Sequence, residues 1–406
     1  MDVLIAAAAR ALSAGDPLAA LKRIALRNDA PALAMRGIAM AQLGDFARAR
    51  ELLRSAARAF GPKNPAPHAR CVVAEAEIAL VSRDLGWSLQ MLKAARTTLA
   101  ACDDQMNAAH AGYLEARLLL LIGRLNEAEA VLGEVDVGIL PRPSQVGYEL
   151  VMAGIAIRRI RTGPARAALE RAWKVAEMAR IPALTAEADQ AMRAFEAPVA
   201  RLIAQGTERL FHLEEVEALL ASDTLIVDAC RNVVRAGTAI IPLTTRAVLL
   251  NLIRALAEAW PVDVPREVLL KRAFRAQHAD ESHRARLRVE IARLREVIGP
   301  LAALVATRRG FVLKPHAARD VAVLVPPVEG DHAKVFALLA DGQAWSSSAL
   351  ALALGVSTRT VQRALEELAL ENKVESFGRG RACLWIASSV PRFPTSLLLP
   401  AVELPV

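Results

Sequence analysis

The chain has 406 residues, 54% of them hydrophobic and only 4% aromatic, with a formal net charge of +8 and a pI near 9.7. That length is more than one ordinary core holds and implies about two to four domains; the small-side-chain, aromatic-poor composition argues against a sheet-dominated fold. Arg10, Gly15, Asp16 and Pro17 interrupt the first twenty residues, with no basic n-region followed by a cleavage site, and no run reaches membrane-spanning length, so neither a signal peptide nor a membrane-spanning helix is expected.

From residue 1 to about 205 a weak repeat recurs. Leu43, Gly44, Asp45 and Phe46 precede Ala49, Leu52, Leu53 and Ala56, and Ile122, Gly123, Arg124 and Leu125 precede Ala128, Val131 and Leu132. Arg83, Asp84, Leu85, Ser88 and Leu92 fall in the same frame, as do Thr162, Gly163, Pro164 and Ala167, giving steps of 39, 40 and 39 residues from Gly44 to Thr162. Such a period predicts helix pairs joined by small-residue turns, each burying its apolar face on the next. The units resemble tetratricopeptide repeats, with Phe46 at the aromatic position.

Residues 206–222 read as a linker. Short β-branched runs then begin: Leu225, Ile226 and Val227, then Val233 and Val234, a Gly237 turn, and Ile240 and Ile241 before Pro242. Helices are expected from Thr244, over Pro265–Phe274 and over Ser282–Ile298, followed by a hairpin around Arg308, Arg309 and Gly310. Between Lys271 and Arg309 there are ten Lys or Arg against four Asp or Glu, so most of the excess charge sits there.

The interval 223–316 resembles the effector domain of OmpR/PhoB-type response regulators. The resemblance rests on Pro242, Leu243 and Thr244, on Pro265 to Leu269, on Leu287, Val289, Ile291, Leu294 and Arg295, and on Thr307, Arg309, Gly310 and Phe311. It implies a winged helix in which Arg284, Arg286, Arg288 and Arg293 line a DNA-facing helix and Arg308 and Arg309 sit on the wing. Planar guanidinium groups fork onto phosphates or guanine edges. Glu290 either reads a cytosine or braces an arginine.

Residues 317–329, with Pro326 and Pro327, read as a second linker, and 330–388 as a further domain. There Leu354, Gly355 and Val356 form a turn before a helix capped by Ser357 and pinned by Val361, Leu365 and Leu368. Thr358, Arg359, Thr360, Gln362 and Arg363 are left pointing outward, a set suited to phosphates and base edges. This stretch resembles the winged helix-turn-helix of DeoR- or GntR-type repressors, which implies a wing carrying Arg379 and Arg381. The Pro-rich tail, 389–406, reads as extended.

The expected fold is therefore mainly α: an N-terminal helical-hairpin, tetratricopeptide-like solenoid followed by two winged-helix domains with small β-sheets and wings. The expected function is a cytoplasmic, sequence-specific transcriptional regulator that binds double-stranded DNA as a homodimer, with the helical half open to a protein or small-molecule effector. A plasmid or phage replication initiator and a protein-interaction scaffold are the rivals. No phosphate-binding loop, nucleophile elbow or zinc-protease signature stands out, and Cys71, Cys102, Cys230 and Cys383 lie too far apart for a zinc motif, so no enzyme activity, cofactor or metal is expected.

Overall fold

The computed structural model describes residues 2–82, 84, 87–244, 246–274, 281–318, 320–327, 332–339, 344–371, 373–378 and 383–387. Arg83 and Leu85 of the repeat frame, Arg379 and Arg381 of the expected second wing, and the tail 389–406 lie outside the described residues. The chain is mainly helical with small sheets and divides into two units, residues 1–194 with 331–406, and residues 195–330.

The first unit begins with α1 (Val3–Ser13), α2 (Pro17–Ile24), α3 (Ala30–Gln42), α4 (Phe46–Phe60), α5 (Pro65–Val81), α6 (Leu89–Ala101), α7 (Gln105–Leu121), α8 (Leu125–Gly133), α9 (Arg142–Arg158), α10 (Thr162–Ala179) and α11 (Pro182–Glu196). Aspartates start several of them: Asp16, Asp29 and Asp45 accept the backbone N–H of Ala19, Ala32 and Arg48, satisfying donors the helix leaves open. In α4 the buried residues Ala49, Leu52, Leu53, Ala56 and Ala57 follow the three-four spacing of one helix face.

Successive helices pack on one another from α1 to α10, and α3, α5 and α7 each also touch the helix two places on. One closure ends several of the pairs. After α3 the Gly44 N–H donates to Ala41 O at 3.0 Å and the Asp45 N–H to Met40 O at 2.9 Å; after α7 Gly123 and Arg124 repeat this with Leu120 and Leu119. The frame at Thr162 keeps the closure without a glycine, because Ile160 itself takes a φ of 54°. Several polar groups buried between the helices are paired: His110 lies between Glu77 and Ser144 at 3.2 and 3.1 Å, and Arg70 donates to Asp104 at 2.6 Å.

The second unit holds β1 (Ala200–Ala204), β2 (Thr207–Phe211), α12 (Leu213–Leu220), β3 (Leu225–Asp228), β4 (Val233–Ala236), β5 (Ala239–Pro242), α13 (Ala247–Glu258), β6 (Val264–Pro265), α14 (Arg266–Phe274), α15 (Glu281–Ile298), β7 (Ala302–Ala306), β8 (Gly310–Pro315) and β9 (Val321–Val325). A six-stranded sheet has the order β2-β1-β9-β3-β4-β5, with β9 parallel to β3 and antiparallel to β1.

Two expected linkers are thereby corrected. Residues 206–222 carry β2 and α12, and β1 begins inside the stretch taken as helical to residue 205. Gln205 and Gly206 have φ of 50° and 76°, and Ala204 pairs with Thr207, so a two-residue turn of the type that matches strand twist closes the β1–β2 hairpin. Residues 317–329 carry β9, all five of whose residues are buried; an unbroken apolar run is what a strand covered on both faces requires.

The C-terminal segment of the first unit consists of α16 (Ala333–Leu339), β10 (Trp345–Ser346), α17 (Ser347–Leu354), α18 (Thr358–Leu370), β11 (Val374–Phe377) and β12 (Leu384–Ala387). It repeats the arrangement of 247–315: a helix, a two-residue strand, two helices and a hairpin. The sheets have matching orders, β6-β8-β7 and β10-β12-β11, with the last strand of the segment central in each. Leu350, Val361, Leu365, Leu368 and Val374 are buried in this segment, and Leu252, Leu269, Leu287, Leu294 and Leu313 in the other. Each such side chain contributes about 2 kcal/mol by leaving water, which fixes the orientation of α15 and α18 and so decides which residues they expose.

Candidate nucleic-acid interface

Helix α15 buries Leu287, Ile291, Leu294 and Ile298. Because these share one side, Arg284, Arg286, Arg288 and Arg293 are all exposed, and so are Ala285, Val289 and Ala292. Arg288 keeps 76% of its side chain accessible. Glu281 stands 3.5 Å from Arg284 and 3.8 Å from Arg288, contacts that water screens and that hold neither group firmly. Arg286 lies over the Phe274 ring at 4.8 Å from its centroid, so the α14 terminus supports its guanidinium while the charge stays exposed.

Glu290 does not face outward. Its carboxylate accepts from Arg293 Nη1 at 2.9 Å, within a groove that Arg246, Val248 and Leu249 of the α13 end also line. Of the two roles open to it, bracing an arginine is the one this geometry provides.

Arg308 and Arg309 occupy the three-residue turn between β7 and β8, and both are exposed. Arg266, which the sequence marked only as part of a motif, lies beneath that turn: Nη1 donates to Arg308 O at 3.1 Å, Nη2 to Thr307 O at 3.3 Å, and its backbone N–H to Arg309 O at 3.2 Å. Arg295 likewise turns to the backbone, its Nε donating to Leu304 O at 2.9 Å, though both arginines remain exposed. Neither was legible as structural from charge alone; the signal was a Phe at 311 within reach of both, at 5.3 and 5.6 Å. Gly310 is dictated by close approach: a β-carbon there would stand 1.8 Å from Val264 O of β6.

In the C-terminal segment Gly355 takes a φ of 65° and ends α17, and the Ser357 hydroxyl accepts the Thr360 N–H at 3.1 Å to start α18. With Val361, Ala364, Leu365 and Leu368 buried, Ser357, Thr358, Arg359, Thr360, Gln362 and Arg363 are all exposed. Arg363 is 3.7 Å from Glu367 and retains 74% side-chain exposure. Charge is divided along α18, with Arg359 and Arg363 in its first half and Glu366 and Glu367 after them. The positive end of the helix dipole therefore coincides with the cationic half. β11 and β12 pair from Val374 with Ala387 to Phe377 with Leu384.

The two surfaces lie in different units: six arginines on α15 and the β7–β8 turn in one, and the hydroxyl, amide and guanidinium groups of α18 in the other. No family model, curated protein or solved structure matches the chain. Among the described residues no cluster of His, Cys, Asp or Glu has the arrangement of a metal site, and no helix is long and apolar enough to cross a membrane.

Proposed function

We propose that this protein is a sequence-specific regulator of transcription that binds double-stranded DNA through two winged-helix modules, 247–315 and 333–387. The observation that carries the reading is the twofold occurrence of one element arrangement, each with its third helix anchored by four buried apolar residues and arginines exposed. The OmpR/PhoB-like motifs at Pro265–Leu269 and Thr307–Phe311 favour the same reading for the first module. Phosphate contacts by such arginines supply affinity and register, while base-edge contacts supply sequence preference.

Two modules on one chain make the second contact intramolecular, so the pair binds more tightly than either alone. The paired helices of residues 1–196 are the tetratricopeptide-like part of the proposal, serving dimerisation or the capture of an effector in the cytoplasm.

Fluorescence anisotropy of the full chain on mixed-sequence duplex at low ionic strength tests the reading, followed by mapping of bound sites across the genome. Arg286→Ala and Arg359→Ala should each weaken binding and lower the slope of log K against log salt by about one, with little change in melting. Enrichment at promoters is the expected outcome. Sites iterated at a replication origin would replace regulation with initiation, and indifference to duplex would remove the DNA-binding reading.

A further inference from the structure

The β7–β8 turn has three residues between its strands, and one side chain together with its own backbone takes up all three carbonyls. Arg266 donates to Thr307 O, Arg308 O and Arg309 O at 3.3, 3.1 and 3.2 Å. On the other flank Thr307 Oγ1 donates to Asp263 Oδ2 and accepts the Gly310 N–H at 2.9 Å, while the Thr307 N–H donates to Gly310 O at 2.9 Å. The Arg266 guanidinium also covers the Phe311 ring.

A surface turn ordinarily leaves its carbonyls to water. Here two of them point at the guanidinium of Arg266, itself exposed, and the Arg308 and Arg309 side chains are exposed beside it. Guanidinium N–H groups committed to backbone carbonyls tie the turn to the start of α14, so one use of Arg266 is to shape the turn. Fixing that shape beforehand removes an ordering cost that binding would otherwise bear.

We propose that Arg266 is a positioning residue that presets the β7–β8 turn so that Arg308 and Arg309 meet the DNA backbone, with Asp263 and Thr307 as the second strut. The proposal rests on the DNA-binding reading given above. It assigns Arg266 no contact with nucleic acid.

The experiment uses the full chain with Arg266→Met, which keeps an unbranched apolar stem without donors, and Arg266→Lys, which restores a single cationic donor group in place of the fork. Amide hydrogen exchange at Thr307 and Gly310 is read without DNA, and affinity for a selected duplex is read alone and in combination with Arg308→Ala. Expected for Arg266→Met are exchange faster by roughly tenfold at those two amides and affinity lower by roughly three- to tenfold. Arg308→Ala should then cost less than it does in the parent chain, and Arg266→Lys should recover part of each effect.

Unchanged exchange in both variants overturns the proposal, whatever DNA does. Additive losses from Arg266→Met and Arg308→Ala overturn it too, since independent contacts add. If Arg266→Met does not fold, Asp263→Asn carries the same exchange test from the other strut. A parent chain that ignores duplex overturns the underlying reading, and the DNA-free exchange distinguishes that failure from a slack turn.

Discussion

Glu290 accepts a hydrogen bond from Arg293 at 2.9 Å while keeping 12% of its own side chain exposed, against 62% for the arginine. The carboxylate sits behind the helix face and the guanidinium in front of it. Glu290→Ala should therefore release Arg293 and add one net positive charge at the surface. Affinity for mixed-sequence duplex is expected to rise by about two- to fivefold at low salt as non-specific attraction grows. Preference for a selected site over mixed sequence should fall, measured by competition anisotropy. A loss of affinity confined to the selected site, with mixed-sequence binding unchanged, would instead make Glu290 a direct base reader.

Gly310→Ala should damage the small sheet of the second unit. The added carbon meets Val264 O at 1.8 Å, Val264 C at 2.7 Å and Pro265 Cα at 2.9 Å, all backbone atoms that cannot rotate aside. Strands β6 and β8 must part, at a cost of about 3 kcal/mol. Chemical denaturation followed by circular dichroism measures the loss, and duplex affinity should fall with it because Arg308 and Arg309 adjoin the displaced strand.

The four cysteines should react unequally. Burial pushes the Cys71 thiol up to about 12, with the Glu75 carboxylate adding to the shift, whereas Cys102 is exposed. Since the thiolate is the nucleophile, maleimide at pH 8 should modify Cys102 quickly and spare Cys71 until the chain is unfolded. Peptide mapping by mass spectrometry reads both sites, and rapid labelling of Cys71 in the native protein would show that α3, α4 and α5 open readily around it.

The start of the chain should loosen in acid. Hydrogen bonding to Arg27 holds the Asp2 and Asp29 carboxyls below the ordinary carboxylate value, and the same pairs raise Arg27. A carboxylate with a depressed folded value contributes stability above its unfolded pKa and loses it as pH falls through the folded one. Amides of Leu4 and Ile5, which donate to Asp2, should thus exchange faster as pH drops below about 4 once intrinsic rates are divided out. Arg27→Ala should make them fast at neutral pH as well and flatten the acid response.

Much of this architecture was legible because it depends on local chemistry. Gly355 before a hydroxyl cap fixed the α17–α18 turn, and the spacing of Leu287, Ile291, Leu294 and Ile298 fixed which side of α15 is buried. What escaped notice was long-range pairing. Val321–Val325 looked like linker because Pro326 and Pro327 follow, yet its partners lie more than ninety residues upstream at Leu225–Asp228 and Arg201–Ile203. Arg266 and Arg295 were indistinguishable from interface arginines until carbonyl oxygens appeared opposite them. Charge in a sequence gives the number of cations and not the direction in which each points.

The place of β9 between β1 and β3 also orders events during synthesis. While a ribosome is still adding residue 320, the early β1–β2 hairpin and the β3–β5 meander each present an open strand edge, and only the last few residues of the unit join them. A transcript cut short between Gly310 and Val321 would consequently yield two unsealed half-sheets, material fit for proteolysis or clumping, even though it encodes the whole of α15 and the β7–β8 turn.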